Sequence, residues 1–401
     1  MAGLATGESI TNPDTIFANA GIDLIQARAD RIDAKSKQVH LSDGRQITYD
    51  KLLLGNGASP IIPPIDGRDL QGVYALRTLS DAEEIRNLLE TAKPRKLVFI
   101  GAGFISLELA TLLTSLLPYD SEITVIELLR HPLPLMLDTE FGMKLQEYLL
   151  EKGLKMKMGA KVSRILGKDG LVNSVELASG KKLAADMVFL NVGVRANTEL
   201  ADEIGLKIGR YGIKVNRFLE TSDPDILAAG DCVEKQHFIT KKPVPCQLRG
   251  PAVIQGRLAA KRLAGYSIEF PGVLSCSIVK LFDKYIASTG LTEEQAQREA
   301  FQTVSATVDS RSKHGMIPGV KPWSIKLVFD SETGRLLGGQ ILSDDVSPVK
   351  EIDTVNALIL GEKTLNDLTV LMCAGTPDCS PEPSLEPISI AAEQALQKLR
   401  G

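Results

Sequence analysis

The chain has 401 residues, of which 44% are hydrophobic and 24% charged, and a formal net charge of −4. At roughly 100–200 residues per domain the length suggests about two to four domains, and the mix is that of an ordinary soluble protein, which excludes a disordered or collagen-like chain. No stretch approaches about 20 unbroken apolar residues, and no basic block or aromatic–basic stripe occurs, so neither a membrane span nor nucleic acid as a partner is expected.

In chain order, residues 24–27 and 38–41 read as short strands, and Asp43-Gly44 as a hairpin turn. The run Tyr49–Leu54 reads as a strand ending in Gly55-Asn56-Gly57. Pro60, Pro63 and Pro64 follow so closely that no helix can open there, so this Gly-x-Gly is read as a crossing between domains. Next comes the strand Lys96–Ile100, the turn Gly101-Ala102-Gly103, and an apolar helix stopped before Pro118. A second strand, Ile123–Glu127, ends in an acid. A helix over about 138–152 carries Phe141, Leu145, Tyr148 and Leu149 on one face, with Gly153 just past its end. Strands near 154–158, 172–177 and 186–192 complete half of a doubly wound α/β sheet with a β appendage.

Further on, Asp225–Asp231 reads as a strand ending in Gly230-Asp231, followed by a helix over about 252–263. From about 267 the pattern changes to strands at 277–281, 303–307, 324–329 and 336–342, then helices at about 348–360 and 364–372. That is a separate α+β domain.

The chemistry concentrates at Gly101-x-Gly103-x-x-Ser106. Gly101 permits the tight turn, Gly103 lets a pyrophosphate approach the backbone, and Ser106 is small where helix meets strand. The exposed amides of the helix start would face the phosphates. Glu127, about 20 residues on, can accept from both ribose hydroxyls and would repel a 2′-phosphate, which favours NADH over NADPH. Arg130 and His131, close by in sequence, work against that preference. Without a ligand, the same turn is simply a tight glycine corner. Glu108 is either a partly exposed acid on a helix face or a carboxylate facing the ligand cleft near the site of hydride transfer. Gly230-Asp231 is either an ordinary turn or a second nucleotide contact.

The cysteines, Cys232, Cys246, Cys276, Cys373 and Cys379, are odd in number and form no C-x-x-C pair, which speaks against a disulfide scaffold. Cys373 and Cys379 read as two unrelated loop cysteines, with a redox pair as the sharper alternative, and Cys232, Cys246 and Cys276 read as core. The four histidines are scattered and no ligand cluster shows, so no metal is expected. Met1–Ala20 has no apolar leader core, which makes the cytosol the expected location.

The ordered set VFIGAGFISLELA, ITVIE, NVGVRANTEL, ETSDPDILAAGDCVE and QGRLAAKRLAG, with an α+β domain behind it, resembles the pyridine nucleotide-disulfide oxidoreductases, most closely the NADH oxidase and coenzyme A-disulfide reductase branch. The resemblance implies two Rossmann-like nucleotide-binding domains and a C-terminal dimerisation domain. On that basis residues 1–77 and 193–266 form a flavin domain, 78–192 an inserted NAD(P) domain and 267–401 the interface domain of a homodimer. The cofactor contacts implied are Gly57, Gly101, Ala102, Gly103, Phe104, Ile105, Ser106, Glu127, Gly193, Gly230 and Asp231, with Glu108 as the catalytic residue. Hydride would pass from NAD(H) to FAD and on to a disulfide, dioxygen, or another small-molecule or protein acceptor.

The sequence departs from that pattern in three places. The opening βαβ unit with its own G-x-G-x-x-G is missing, so the flavin domain is expected to be incomplete. Ala2 stands where the branch carries a redox cysteine, and Ser106 replaces a third glycine. The loss of a phosphate-binding turn weakens the expectation of FAD and leaves a second possibility: a non-catalytic NAD-binding subunit, or a fragment whose flavin site another chain completes. A reductase serving a small iron–sulfur protein ranks below both, because no charged docking run marks it.

Overall fold

The computed structural model describes residues 5–118 and 120–400. Met1–Leu4, and with them the Ala2 position, lie outside the described residues, as do Tyr119 and Gly401.

The centre of the molecule is a five-stranded parallel sheet in the spatial order Val73–Tyr74, Met187–Leu190, Lys96–Ile100, Glu122–Ile126, Lys155–Lys157. Its middle strands read as continuous apolar runs because both faces are covered: helices pack on Leu97, Phe99 and Phe189, and strands pack on Val98, Ile100 and Val188. Phe99 and Phe189 stack at 4.4 Å between adjacent strands. The helix Phe104–Thr114 buries Ser106, Leu107, Leu109, Ala110 and Leu113 against this sheet. The helix Thr139–Glu151 buries Phe141, Leu145 and Leu149, and Gly153 at φ +93° ends it. A three-stranded antiparallel appendage, Val162–Lys168, Leu171–Leu177 and Lys182–Ala184, packs Ile165, Val172, Val175 and Leu177 on the face opposite the helices.

The flanking unit is slighter. The strands Ala29–Asp33, Gln38–Leu41 and Gln46–Thr48 form an antiparallel sheet, the last two joined by the turn at Asp43-Gly44. Leu52–Leu54 pairs in parallel with Ile226–Ala228 over three residues. The chain then crosses through Ala58–Pro60, which pairs antiparallel with Val194–Ala196. No helix follows Gly57, as the prolines require. The C-terminal domain is a five-stranded antiparallel sheet, Ser277–Leu281, Lys284–Gly290, Leu336–Ser343, Pro322–Asp330, Thr303–Arg311, packed by Glu351–Leu360 and Pro387–Arg400.

Several elements differ from the sequence reading. The strand expected at 24–27 begins at Ala29, and the one expected over 49–54 shrinks to Leu52–Leu54. The strands Val162–Lys168 and Lys284–Gly290 and the helix Pro387–Arg400 went unread. So did the helix Leu79–Thr91, although its start carries a legible signal: Thr78 and Asp81 cap one another reciprocally.

Candidate functional site

The strand Lys96–Ile100 delivers the chain into Gly101, whose φ is +100°. A Cβ there would lie 2.4 Å from the Asn191 carbonyl oxygen, so only glycine fits both the conformation and the neighbouring strand. Gly103 precedes the helix in extended backbone, with no side chain capping it. The first helical hydrogen bond runs from Leu107 N–H to the Gly103 carbonyl at 3.1 Å. The amides of Phe104, Ile105 and Ser106 therefore have no intrahelical acceptor. No atom lies within 4 Å of a Cβ built on Gly103, so the approach to those amides is open. An uncapped helix start with free amides favours an anion.

Glu127 reaches back to this turn. Its Oε2 accepts from the Ala102 amide at 2.7 Å and its Oε1 from the Leu129 amide at 2.9 Å. The Ala102 amide is thus turned to Glu127 rather than to a phosphate, and Ala102 itself is fully buried. Each carboxylate oxygen keeps a lone pair for a hydroxyl donor. Ser106 is buried against the sheet, and its Oγ has no hydrogen-bond partner. Phe104 and Ile105 lie on the outer face of the helix, a little over one-third exposed. His131 does not approach the site: it is buried, its Nδ1 pairs with the Pro132 carbonyl at 3.0 Å, and its ring packs on Gly142. Of the two cationic residues weighed against an NADH preference, only Arg130 is exposed.

Glu108 shares the helix's outer face with Phe104 and Leu112. It is half-buried, belongs to no ion pair among the described residues, and burial raises its pKa. Such a carboxyl group can hold a proton nearer neutrality than a solvated one.

The second cluster lies where the Leu52–Leu54 and Ile226–Ala228 strands end. Gly57 (φ +69°) and Gly230 (φ +87°) both turn the chain there, and no atom comes within 3.8 Å of a Cβ built on either. Asp231 Oδ2 pairs with Arg77 Nη2 at 3.1 Å, while its Oδ1 is buried with no partner. Gly193, at φ +116°, lies at the crossing, where its carbonyl accepts from Ile61 N–H at 2.9 Å, and opens the strand Val194–Ala196 that pairs with Ala58–Pro60. Cys232 is fully buried beside Leu54, and Cys246 is buried too, whereas Cys276 is only half-buried. Cys373 and Cys379 are exposed free thiols, and partial burial raises the pKa of Cys373, away from a thiolate.

Sequence reading found both glycine turns and both acids. It missed Arg77 and Asn191, whose importance comes from contacts across more than 85 residues of sequence. It also missed a buried cluster that joins the central unit to the C-terminal domain. There Lys326 Nζ lies 2.9 Å from Asp138 and 2.8 Å from Glu293, and also pairs with Glu140. Asp138 accepts from the Glu293 and Glu294 amides and from Gln340. Burial disfavours the Lys326 charge, but the hydrogen bonds to Glu140 and Glu293 and the Asp138 charge outweigh it and raise the pKa. The three carboxylates lie close enough to hold a metal ion, and the Lys326 ammonium already fills that role.

A glycine corner at a helix start, an acid from the next strand, a second glycine–aspartate turn and an antiparallel C-terminal sheet together define a nucleotide-dependent oxidoreductase. Residues 7–253 match the family model described as pyridine nucleotide-disulphide oxidoreductase, and residues 276–384 match the dimerisation domain of the same family. The chain belongs to the pyridine nucleotide-disulphide oxidoreductase family.

It is 34% identical to an NADH oxidase of Methanocaldococcus jannaschii over 92% of this chain and 81% of that protein. It is 33% identical to a CoA-dependent NAD(P)H sulfur oxidoreductase of Pyrococcus furiosus, over 95% and 86%. The structure of an NAD-dependent persulfide reductase from A. fulgidus superposes with a TM-score of 0.93 at 32% identity, covering all of this chain and 75% of that one. These relatives are enzymes, and they lend no support to a non-catalytic subunit or to a second chain completing the flavin site. No helix among the described residues is long and apolar enough to cross a membrane.

Proposed function

We propose that the protein is an FAD-dependent NAD(P)H oxidoreductase that works as a homodimer, prefers NADH, and delivers electrons to a disulfide, a persulfide or dioxygen. The observation that carries this is the pairing, in one chain, of two sites with unspent polar groups: the free amides at Phe104–Ser106 and the unpartnered Oδ1 of Asp231.

The residues fit both cofactors. The open backbone at Gly103 and the helix start suit a diphosphate, and the Glu127 lone pairs suit the ribose hydroxyls of NADH. Gly57 and Gly230 leave room against their backbones, and Asp231 Oδ1 needs a hydroxyl donor of the kind a ribityl chain carries. When bound, the nicotinamide and flavin supply hydride transfer.

The chain's own task is to hold and orient. The turn at Gly101 fixes the diphosphate, and Glu127 sets the ribose and disfavours a 2′-phosphate. Arg77 holds the Asp231 carboxylate through Oδ2. Glu108, its pKa raised by burial, stands on the face where the nicotinamide end would lie and can exchange a hydrogen bond or proton with it. The C-terminal domain pairs two copies, an expectation that rests on the family match at 276–384.

The test is an absorbance spectrum of the purified full chain, followed by NADH oxidation with an artificial electron acceptor. A flavin band, native or restored by added FAD, with multiple turnovers is expected. A colourless protein that takes up no FAD overturns the proposal. NADH binding without turnover by a flavin-loaded chain overturns it as well.

A further inference from the structure

Two buried polar side chains hold the Gly230-Asp231 turn from behind. Gln255, 1% exposed, accepts the Gly230 N–H at 2.9 Å. Lys235, 2% exposed, donates from Nζ to the Gly230 carbonyl at 2.7 Å and reaches the Val233 carbonyl at 3.4 Å. The amide and the carbonyl of one glycine at φ +87° are therefore each pinned by a different buried side chain. Among the described residues, no carboxylate lies within ion-pairing distance of Lys235. Burial lowers its pKa, against the opposing influence of Cys246, Asp231 and Cys232.

An ammonium buried without a counter-charge is costly, and packing alone does not call for one, since an apolar side chain of similar length would fill the space without that cost. What the lysine supplies is a strong, directed hydrogen bond onto a peptide whose positive φ glycine adopts freely but does not by itself fix. One residue later stands Asp231, with one oxygen committed to Arg77 and the other buried and free. The direction of that free oxygen follows from the orientation of the Gly230 peptide. Neither Lys235 nor Gln255 lines the open side of the turn, so both act through the backbone.

We propose that Lys235 and Gln255 are positioning residues for the flavin, clamping the Gly230 peptide so that Asp231 Oδ1 is aimed before the cofactor arrives. This rests on the flavin reading above. Pre-aiming a buried acceptor spares the cofactor the cost of ordering the turn.

The experiment uses the full chain stripped of flavin, titrated with FAD by fluorescence quenching and separately with NADH. Lys235→Met and Gln255→Met are each expected to weaken FAD tenfold or more while NADH affinity stays within twofold. The double variant is expected to lose less than the product of the two, because both singles release the same peptide. An altered visible circular dichroism band of the residual bound flavin should accompany the loss.

A folded Lys235→Met protein with unchanged FAD affinity overturns the inference. So does an equal loss of FAD and NADH, which marks a general structural role. Should Lys235→Met fail to fold, Gln255→Met decides on the same criteria. A wild-type chain that takes up no FAD removes the flavin reading and this inference with it, an outcome distinct from a wild type that binds and variants that bind equally well.

Discussion

The two units that carry the proposed NAD and flavin sites are built to different depths. The first has five parallel strands, and its core does not stop at the domain boundary: Val279, Leu281, Ile286 and Leu342 of the C-terminal domain pack in one cluster with Leu97, Phe99 and Leu107. The Lys326 cluster adds a polar bolt to the same junction. The second unit has a parallel pair of three residues each and a small core around Ile32, Leu54, Ile213 and Ile226. Leu53, Val253 and Ile254 around it are 38–48% exposed. The proposed nicotinamide site thus rests on the larger core, whereas the proposed flavin site depends on a few clamps on one turn and on what its ligand adds by binding.

The hardest test of that contrast is Lys326→Met. It leaves Asp138, which is almost fully buried, facing two further carboxylates with no cation between them. Breaking a buried ion pair from one side costs about 3–5 kcal/mol, so a fall in melting temperature and denaturation midpoint is expected. A loss below about 1 kcal/mol would show that apolar packing alone joins the two domains.

Next in size comes a comparison within the nucleotide turn. Gly101→Ala forces a side chain onto φ +100° and into the Asn191 carbonyl, whereas Gly103→Ala adds a methyl to ordinary backbone in open space. Gly101→Ala should therefore lower thermal stability by about 1–3 kcal/mol and NADH affinity about 100-fold. Gly103→Ala should leave the melting curve unchanged and weaken NADH about tenfold, by crowding the diphosphate. Thermal melts and NADH titrations of the two variants check this. If both lower stability equally, Gly103 is a structural residue and the open approach to the helix start is not the binding surface.

The unit with the larger core was also the legible one. Lys96–Ile100, the turn at Gly101 and the helices after it follow from apolar runs, glycine and proline placed next to each other in sequence, and the structure keeps them nearly residue for residue. The flavin-side strands were read too long or misplaced, because strands of three residues leave little periodicity and their pairing joins Leu52 to Ile226. The edge strand Val162–Lys168 alternates poorly and bends at two register shifts, which hides it. Site residues followed the same rule. Gly101, Glu127 and Asp231 announce themselves locally. The Arg77 contact and the Lys326 cluster are fixed by folding, between residues 154 and up to 188 positions apart, and composition carries no trace of them.

The smallest expected effect bears on which dinucleotide the larger unit selects, and it needs a careful substitution. Glu127→Ala would remove the charge facing the ribose, but it would also strip the acceptor from the Ala102 amide, in a fully buried residue, at a cost of about 1–3 kcal/mol that has nothing to do with the cofactor. Glu127→Gln separates the two roles. Its amide oxygen can still accept from Ala102, its NH2 gives up only the Leu129 N–H, which is the smaller loss, and the repulsion toward a 2′-phosphate disappears. Glu127→Gln should then bring the ratio of NADPH to NADH dissociation constants down about tenfold, through tighter NADPH as well as weaker NADH, with a smaller fall in melting temperature than Glu127→Ala. If the ratio holds while Glu127→Ala destabilises the fold, the carboxylate is a brace for the glycine turn, and the choice between the two dinucleotides is made by other residues.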